Sequence, residues 1–335
     1  MSLRVLAAAV LLLATIPACR ARSADATAPA PSAPAPAPSA PAPALSAATS
    51  RVAPAAPVDT REALVWMVDA KGAPTTRWIA ASPAGAREVG SKPALLVAVG
   101  ADVWRWSARA VEVPTVACEG YRPDLTTHRR DGLRGTMERL GSAERVEIIE
   151  PWQPEGAADV AQSVDLEGSA GPYVFVREHD YAYTCDALGA HHGSLVVWDL
   201  AQRRAVDVLD RGELEALDTA ERAEAVDKLL PFDHPLQLED VTYRATLPRH
   251  DARGALLAEH EVSTFACTAC SDGQWGSNTR WVAIPARHLP ARLAPYERPA
   301  AVVTSWLAAH PRTGLAGWSP VSPEAARVLA EVMKK

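Results

Sequence analysis

Cys267 and Cys270 form a Cys-x-x-Cys pair within FACTAC, and Cys185 precedes the doublet His191-His192. Three chemistries use residues of these types. Three thiolates and an imidazole could hold a tetrahedral zinc, although the spacing matches no two-pair finger. A catalytic zinc would also need an open position and a nearby acid or base, for which Asp186 and Glu178 are the local candidates. A redox pair wants its first thiolate at a helix start, whereas this motif follows the strand-like EVSTFA and runs into Ser271-Asp272-Gly273. In an oxidising compartment Cys118, Cys185, Cys267 and Cys270 would instead close two structural disulfides, in one of three pairings. A bridge from Cys267 to Cys270 needs a local turn, because an extended span of roughly 10 Å exceeds disulfide reach. Structural disulfides are the expectation carried forward, with no metal and no cofactor assigned.

His179-Asp180 and His191-His192 also invite a hydrolytic reading. Neighbours on a strand point to opposite faces, so neither doublet converges on one substrate by spacing alone. No nucleophile elbow, phosphate loop, dinucleotide fingerprint or HExxH zinc motif occurs. No catalytic residue is assigned, and the chain reads more as a binder than as an enzyme. Net charge is −6 with no dense Lys/Arg cluster, which argues against a nucleic-acid partner. Ten Trp against three Phe suit large core and cross-strand side chains, with a carbohydrate or peptide platform as the alternative use.

Those residues need elements to position them, and the elements begin late. Arg4 and the apolar stretch Val5 to Ile16 read as a signal peptide over residues 1–18, too short to span a bilayer. Ile16-Pro17-Ala18-Cys19 resembles a lipoprotein box, which makes Cys19 the expected lipid attachment point to a bacterial membrane. Residues 19–57 are almost wholly Ala, Pro and Ser, a composition expected to stay disordered and to favour polyproline II, reaching on the order of 100 Å. The folded region is expected to divide into a β-rich part, 58–117, and an α+β part, 118–335.

Ala63 to Asp69 and Thr76 to Ala81 read as a hairpin around Lys71 to Pro74, and Leu95 to Val99 and Val103 to Ser107 as a second one around Gly100-Ala101-Asp102. Leu125 to Leu140 places Leu125, Leu133, Met137 and Leu140 on one face of a helix that Gly132 and Gly135 weaken. Val146 to Ile149, Tyr173 to Arg177, Tyr181 to Thr184, Leu195 to Leu200, Val241 to Leu247, Glu261 to Ala266 and Arg280 to Ile284 read as strands. Asp218 and Glu221 resemble a capping box for a helix to Leu230. Pro299 to His310 and a last helix from Ser322 and Pro323 complete the reading. The class is α+β, largely antiparallel, with few helices.

Tyr181 to Asp210, with Tyr183-Thr184, Gly189-Ala190-His191 and Asp199-Leu200, resembles the signature of PdaC/RsiV-type envelope domains. Arg280 to Leu293 is similar to that family's closing Ile-Pro segment. The turn departs from the pattern at Cys185 to Leu188 and by insertion of His192. The resemblance implies an α+β domain outside the membrane that binds a cell-wall component such as peptidoglycan, or an envelope protein. The expected contact residues are His191, His192, Trp198 and Trp275. The competing expectation is a metal-dependent envelope hydrolase using the Cys/His set. Substituting Cys19→Ala should move the chain from the membrane to the soluble fraction and abolish palmitate labelling in cells.

Overall fold

The structure, a computed structural model, describes residues 60–68, 73–118, 130–184, 187–215, 217–229, 236–267, 277–311 and 314–334. Cys19, the signal-like stretch and the Ala/Pro/Ser tract lie outside these residues, as do Cys185, Cys270 and Trp275. The side chains of His191 and Cys267 are likewise not described.

The chain builds a large sheet first. β1 (Glu62–Val68) is apolar on both faces, with Ala63 and Val65 on one and Leu64 and Trp66 on the other, all buried. Such a strand belongs in the interior of a layered fold. It pairs antiparallel with β2 (Pro74–Ser82), which pairs with β3 (Gly85–Lys92). β4 (Leu96–Val99) and β5 (Asp102–Glu112) form the second expected hairpin, turned at Gly100 in the left-handed region (φ 59°).

β6 (Arg130–Arg139) pairs with β5 and with β7 (Arg145–Ile149). β8 (Ala157–Ala170), β9 (Tyr173–Thr184) and β10 (Ala187–Asp199) make a long antiparallel meander, to which β11 (Arg204–Ala205) adds a short edge. One edge of β8 is shared between two partners, β6 at Val160 and Ala161 and a strand from the far end of the chain at Ser169 and Ala170.

Two short helices follow, α1 (Arg211–Glu215) and α2 (Thr219–Leu229). A second, antiparallel sheet of β12 (Val241–His250), β13 (Leu256–Cys267) and β14 (Ser277–Pro285) carries α2, whose Ala225 and Leu229 pack on Val241, Val262 and Ile284. α3 (Ala301–Ala309) lays Val302, Val303, Trp306 and Leu307 against Val65 and Ile79. The late strand β15 (Gly317–Pro320) inserts between β1, antiparallel, and β8, parallel. α4 (Pro323–Val332) closes the chain, its first turn capped by the Ser322 hydroxyl accepting from the Ala325 amide at 3.1 Å.

The α+β class with a dominant antiparallel sheet is thus observed, and both N-terminal hairpins are present. The expected division at residue 117/118 is not seen as a boundary. β5 and β6 pair across it, β15 ties β1 to β8, and the described residues belong to one compact unit.

The helix expected over Leu125 to Leu140 is a strand from Arg130 onward. Its glycines explain the difference: a Cβ at Gly135 would overlap the Trp106 ring and crowd Ile149, and one at Gly132 would overlap Val113. Bare backbone there lets cross-strand aromatic and aliphatic groups close down on it. Tyr173 to Thr184 is one strand rather than two, and the expected Gly189-Ala190-His191 turn lies within β10, Ala190 facing Ala182 and His191 facing Tyr181. β8 had no sequence expectation at all.

The tightest joint is at β15. The Trp66 indole donates to the Ser169 hydroxyl at 2.7 Å, in a wholly buried contact. Gly317 lies against it, and a Cβ there would collide with both the Ser169 hydroxyl and the indole nitrogen. Substituting Gly317→Ala should destabilise the fold by at least about 2 kcal/mol through overpacking and loss of that bond. Gly314→Ala, where a Cβ meets nothing within 4 Å, should be near neutral in the same chemical denaturation series.

Candidate functional site

Across the β9–β10 ladder, Asp180 faces His192 and Glu178 faces Ser194. Alternation puts all four side chains on one face, in line with Val174 and Val176 of the core. Each doublet of the sequence is split by its strand, and one member of each meets the other across the register. His192 Nδ1 lies 3.8 Å from Asp180 Oδ2, and the Ser194 hydroxyl donates to Glu178 Oε2 at 2.9 Å. On the opposite face His179 Nε2 lies 3.1 Å from Asp165 Oδ2, exposed to solvent.

Asp180 is 7% exposed, and its Oδ1 is buried with no hydrogen-bond partner. Burial raises its carboxyl above the usual range, against the opposing pull of His192 and Gln162. Burial raises Glu178 as well; the Ser194 bond opposes the shift and the Asp180 charge adds to it. His192 stands outside this pair, its side chain 66% exposed. Of the other expected contact residues, Trp198 is half-buried and packs against the core beside Val174 and Val176, with its indole nitrogen buried and without a hydrogen-bond partner. Trp275 lies outside the described residues.

A cavity lies one layer away, on the other face of β10. Leu195 and Val197 form one wall, and Val206 and Val208 of the following loop form another. These residues continue the core that holds Phe175 and Leu256. The segment then turns into α1 through a reciprocal cap. Asp210 Oδ1 accepts the Glu213 amide at 2.8 Å, and Glu213 Oε2 accepts the Asp210 amide at 2.9 Å. That cap holds Leu214, 38% exposed, at the cavity wall. Tyr243 to Thr246 of β12, where the ladder carries a bulge, supply one polar side, and Asp207, Asp210 and Arg211 of the segment after β11 add charged groups to the lining. Its volume is about 290 Å³, and it opens to solvent.

Beside it Arg244 donates from Nε to the Ser263 hydroxyl at 2.6 Å and sets its guanidinium 5.7 Å from the centre of the Trp281 ring. Trp281, 40% exposed, packs its ring edge onto Gly193, where a larger residue would push it away. Trp281 rather than Trp198 is the described exposed indole of this region. Its place in the strand Arg280 to Ile284 was readable, but its exposure depends on the edge of a sheet that periodicity does not locate.

Behind the polar wall runs a buried chain. Tyr243 Oη is 2.9 Å from Thr246 Oγ1, which is 3.2 Å from His260 Nδ1. His260 Nε2 is 3.4 Å from Glu221 Oε2. Glu221 Oε1 accepts the Arg287 amide at 2.7 Å. Glu221 therefore does not complete the expected capping box; Asp218 caps α2 alone, accepting the Ala220 amide at 2.9 Å, and pairs with the Arg287 guanidinium. Burial lowers His260 below the usual imidazole range, with Glu221 opposing.

Among the described residues no three His, Cys, Asp or Glu side chains group as a metal site would require. The Cys/His set read from the sequence lies largely outside those residues. Cys118 is disulfide-bonded. No described helix is long and apolar enough to cross a membrane. Comparisons with protein-family models, curated proteins and solved structures found no match.

The raised carboxyls fix the sign of one pH dependence. An acid whose folded pKa exceeds its unfolded value binds its proton more tightly when folded. Its ionisation therefore costs stability as pH rises from the unfolded pKa, near 3.9 for Asp, through the raised one. Substituting Asp180→Asn should raise the melting temperature by a few degrees at pH 8, a gain on the order of 1 kcal/mol. The gain should shrink toward zero by pH 4, as read by thermal unfolding across that range.

Proposed function

We propose that this chain is a lipid-anchored protein of the bacterial cell envelope whose folded region is a non-catalytic binding module for a cell-wall component. The ligand seat is the cavity between β10, the loop after it and β12. One observation carries the reading: a cavity of about 290 Å³ joins apolar walls from Leu195, Val197, Val206 and Val208 to polar groups on β12 and on the Asp207 to Arg211 segment. Apolar bodies with a few placed polar groups are the usual make-up of small-ligand sites, which span about 300–1,000 Å³. The size suits one ring or one side chain of a larger polymer, inserted as an anchor, rather than a length of polymer.

Trp281 and Leu214, both partly exposed, extend the contact surface outward. An exposed indole such as that of Trp281 is the kind of side chain that dominates contact energetics. The Cys19 box and the Ala/Pro/Ser tract support a tethered location, and the PdaC/RsiV resemblance supports an extracytoplasmic partner.

Filling the cavity tests the reading. Purified sacculi should retain the wild-type folded region, and Leu195→Trp should reduce retention at least about tenfold, roughly 1.4 kcal/mol. Its melting temperature should stay within a few degrees of wild type. Equal retention of both proteins, or none of the wild type, would sink the assignment of this cavity.

A further inference from the structure

The buried chain behind the cavity has a direction, and the direction decides what the cavity can hold. An ionised Glu221 is an acceptor only, and it already takes the Arg287 amide at 2.7 Å. Facing it at 3.4 Å, a neutral His260 is most stable with its hydrogen on Nε2. Nδ1 then carries a lone pair, so the Thr246 hydroxyl 3.2 Å away must donate to it. With its one hydrogen committed, Thr246 can only accept from Tyr243, 2.9 Å away. Tyr243 has in turn spent its hydrogen and retains only lone pairs.

Tyr243 and Thr246 line the larger cavity. Tyr243, His260 and Glu221 line a smaller one between α2 and the second sheet, about 10 Å³ and so near the size of a single water. The relay thus runs from the wall of the ligand seat to a buried carboxylate.

We infer that Tyr243 acts as an obligate hydrogen-bond acceptor in the ligand seat, beside the charged Asp207, Asp210, Arg211 and Arg244 that also line it, so that the seat favours a group placing a hydroxyl or amide N–H donor on the Tyr243 oxygen. This rests on the cavity being the binding site and adds the polarity of its ligand. Protonation of His260 reverses the relay: Nδ1–H donates to Thr246, Thr246 donates to Tyr243, and the Tyr243 hydrogen is released toward the seat. Among the described residues, the charged or titratable groups facing His260 are Glu221 and Arg222 of α2 and Tyr243 of β12, while β14 presents Ile284. Burial opposes the protonated form and Glu221 favours it, so reversal belongs to acid rather than neutral pH.

Two measurements test this independently of sacculus binding. Nitrogen-15 spectra of the histidine rings in the full chain should show His260 neutral at pH 7.5 with hydrogen on Nε2. The Nδ1–H tautomer or an imidazolium at that pH overturns the proposal. Binding of phenol and of anisole, which share a ring and differ in the donor, should then be compared by titration.

Phenol should bind at least about tenfold more tightly than anisole at pH 7.5, the loss expected when one hydrogen bond goes unmade. The preference should collapse in Tyr243→Phe and in Thr246→Val and survive in Thr246→Ser, which keeps the hydroxyl should the valine variant fold poorly. It should also fall toward parity as acid titrates His260. Equal binding of the two probes, or binding of neither, overturns the acceptor role. Loss of sacculus binding without change in the tautomer or the probe preference would instead count against the wall ligand alone.

Discussion

The indole of Trp66 reaching the hydroxyl of Ser169 past the bare backbone of Gly317 is the contact on which the rest of the architecture depends. Three distant segments meet there: an early strand, the first strand of the meander and a late strand. A buried indole without an acceptor would cost on the order of 1–3 kcal/mol, and a side chain at Gly317 would separate the strands it joins. Other polar groups repeat the arrangement nearby. The Ser319 hydroxyl accepts the Ala98 amide at 2.9 Å, and Thr76 bridges the Leu96 amide and the Ala94 carbonyl at 2.9 and 2.7 Å. Hydroxyls thus satisfy backbone groups where strands pass without a shared ladder.

The same demand for satisfaction explains the polar interior farther along the meander. Gln162 of β8 accepts the Leu133 and Trp152 amides at 2.8 and 3.0 Å and donates to the Glu150 carbonyl at 3.2 Å, holding the β6–β7 branch to the main sheet. Its strand neighbour Asp180 is less well served, with one oxygen unpartnered. Arg177, between Glu167 at 2.8 Å and Glu261 at 3.2 Å, is fully paired and links the two sheets. His250 adds a second link, its Nε2 2.9 Å from the Ser169 carbonyl. The seat lies between the two sheets that these links join, and its relay lies on the second sheet and α2. Their geometry is therefore referred back through Arg177 and His250 to β8 and β9.

Much of this was legible before any coordinates. The α+β class, the two N-terminal hairpins, the strands of the second sheet and the Ser322-capped helix follow from alternation, turn residues and caps, all of them local signals. What stayed hidden was set by distant neighbours. β6 reads as a helix because Leu133, Met137 and Leu140 recur at helical spacing, yet its glycines answer to Trp106 and Val113, which lie far back in the chain. β8, AADVAQSVDLEGSA, holds few β-branched residues and is a strand because partners flank it along its length. His179-Asp180 and His191-His192 were visible as doublets, but only the register of β9 on β10 says that Asp180 meets His192. The relay was least legible of all. Glu221 carries a capping signature, and only the packing of α2 on the second sheet turns its carboxylate to His260 instead.

The placement of β15 also governs the order in which the molecule can assemble. Residues 317–320 fill the slot between β1 and β8, although most of the chain separates them from β1. A polypeptide emerging amino end first from a ribosome leaves the facing edges of both strands open until residues 317–320 have cleared the exit. Long-range closure of this kind is slow and exposes strand edges in the interval. Closure between β1 and β8 thus waits on the emergence of residues 317–320, whatever has already folded on either side of the slot.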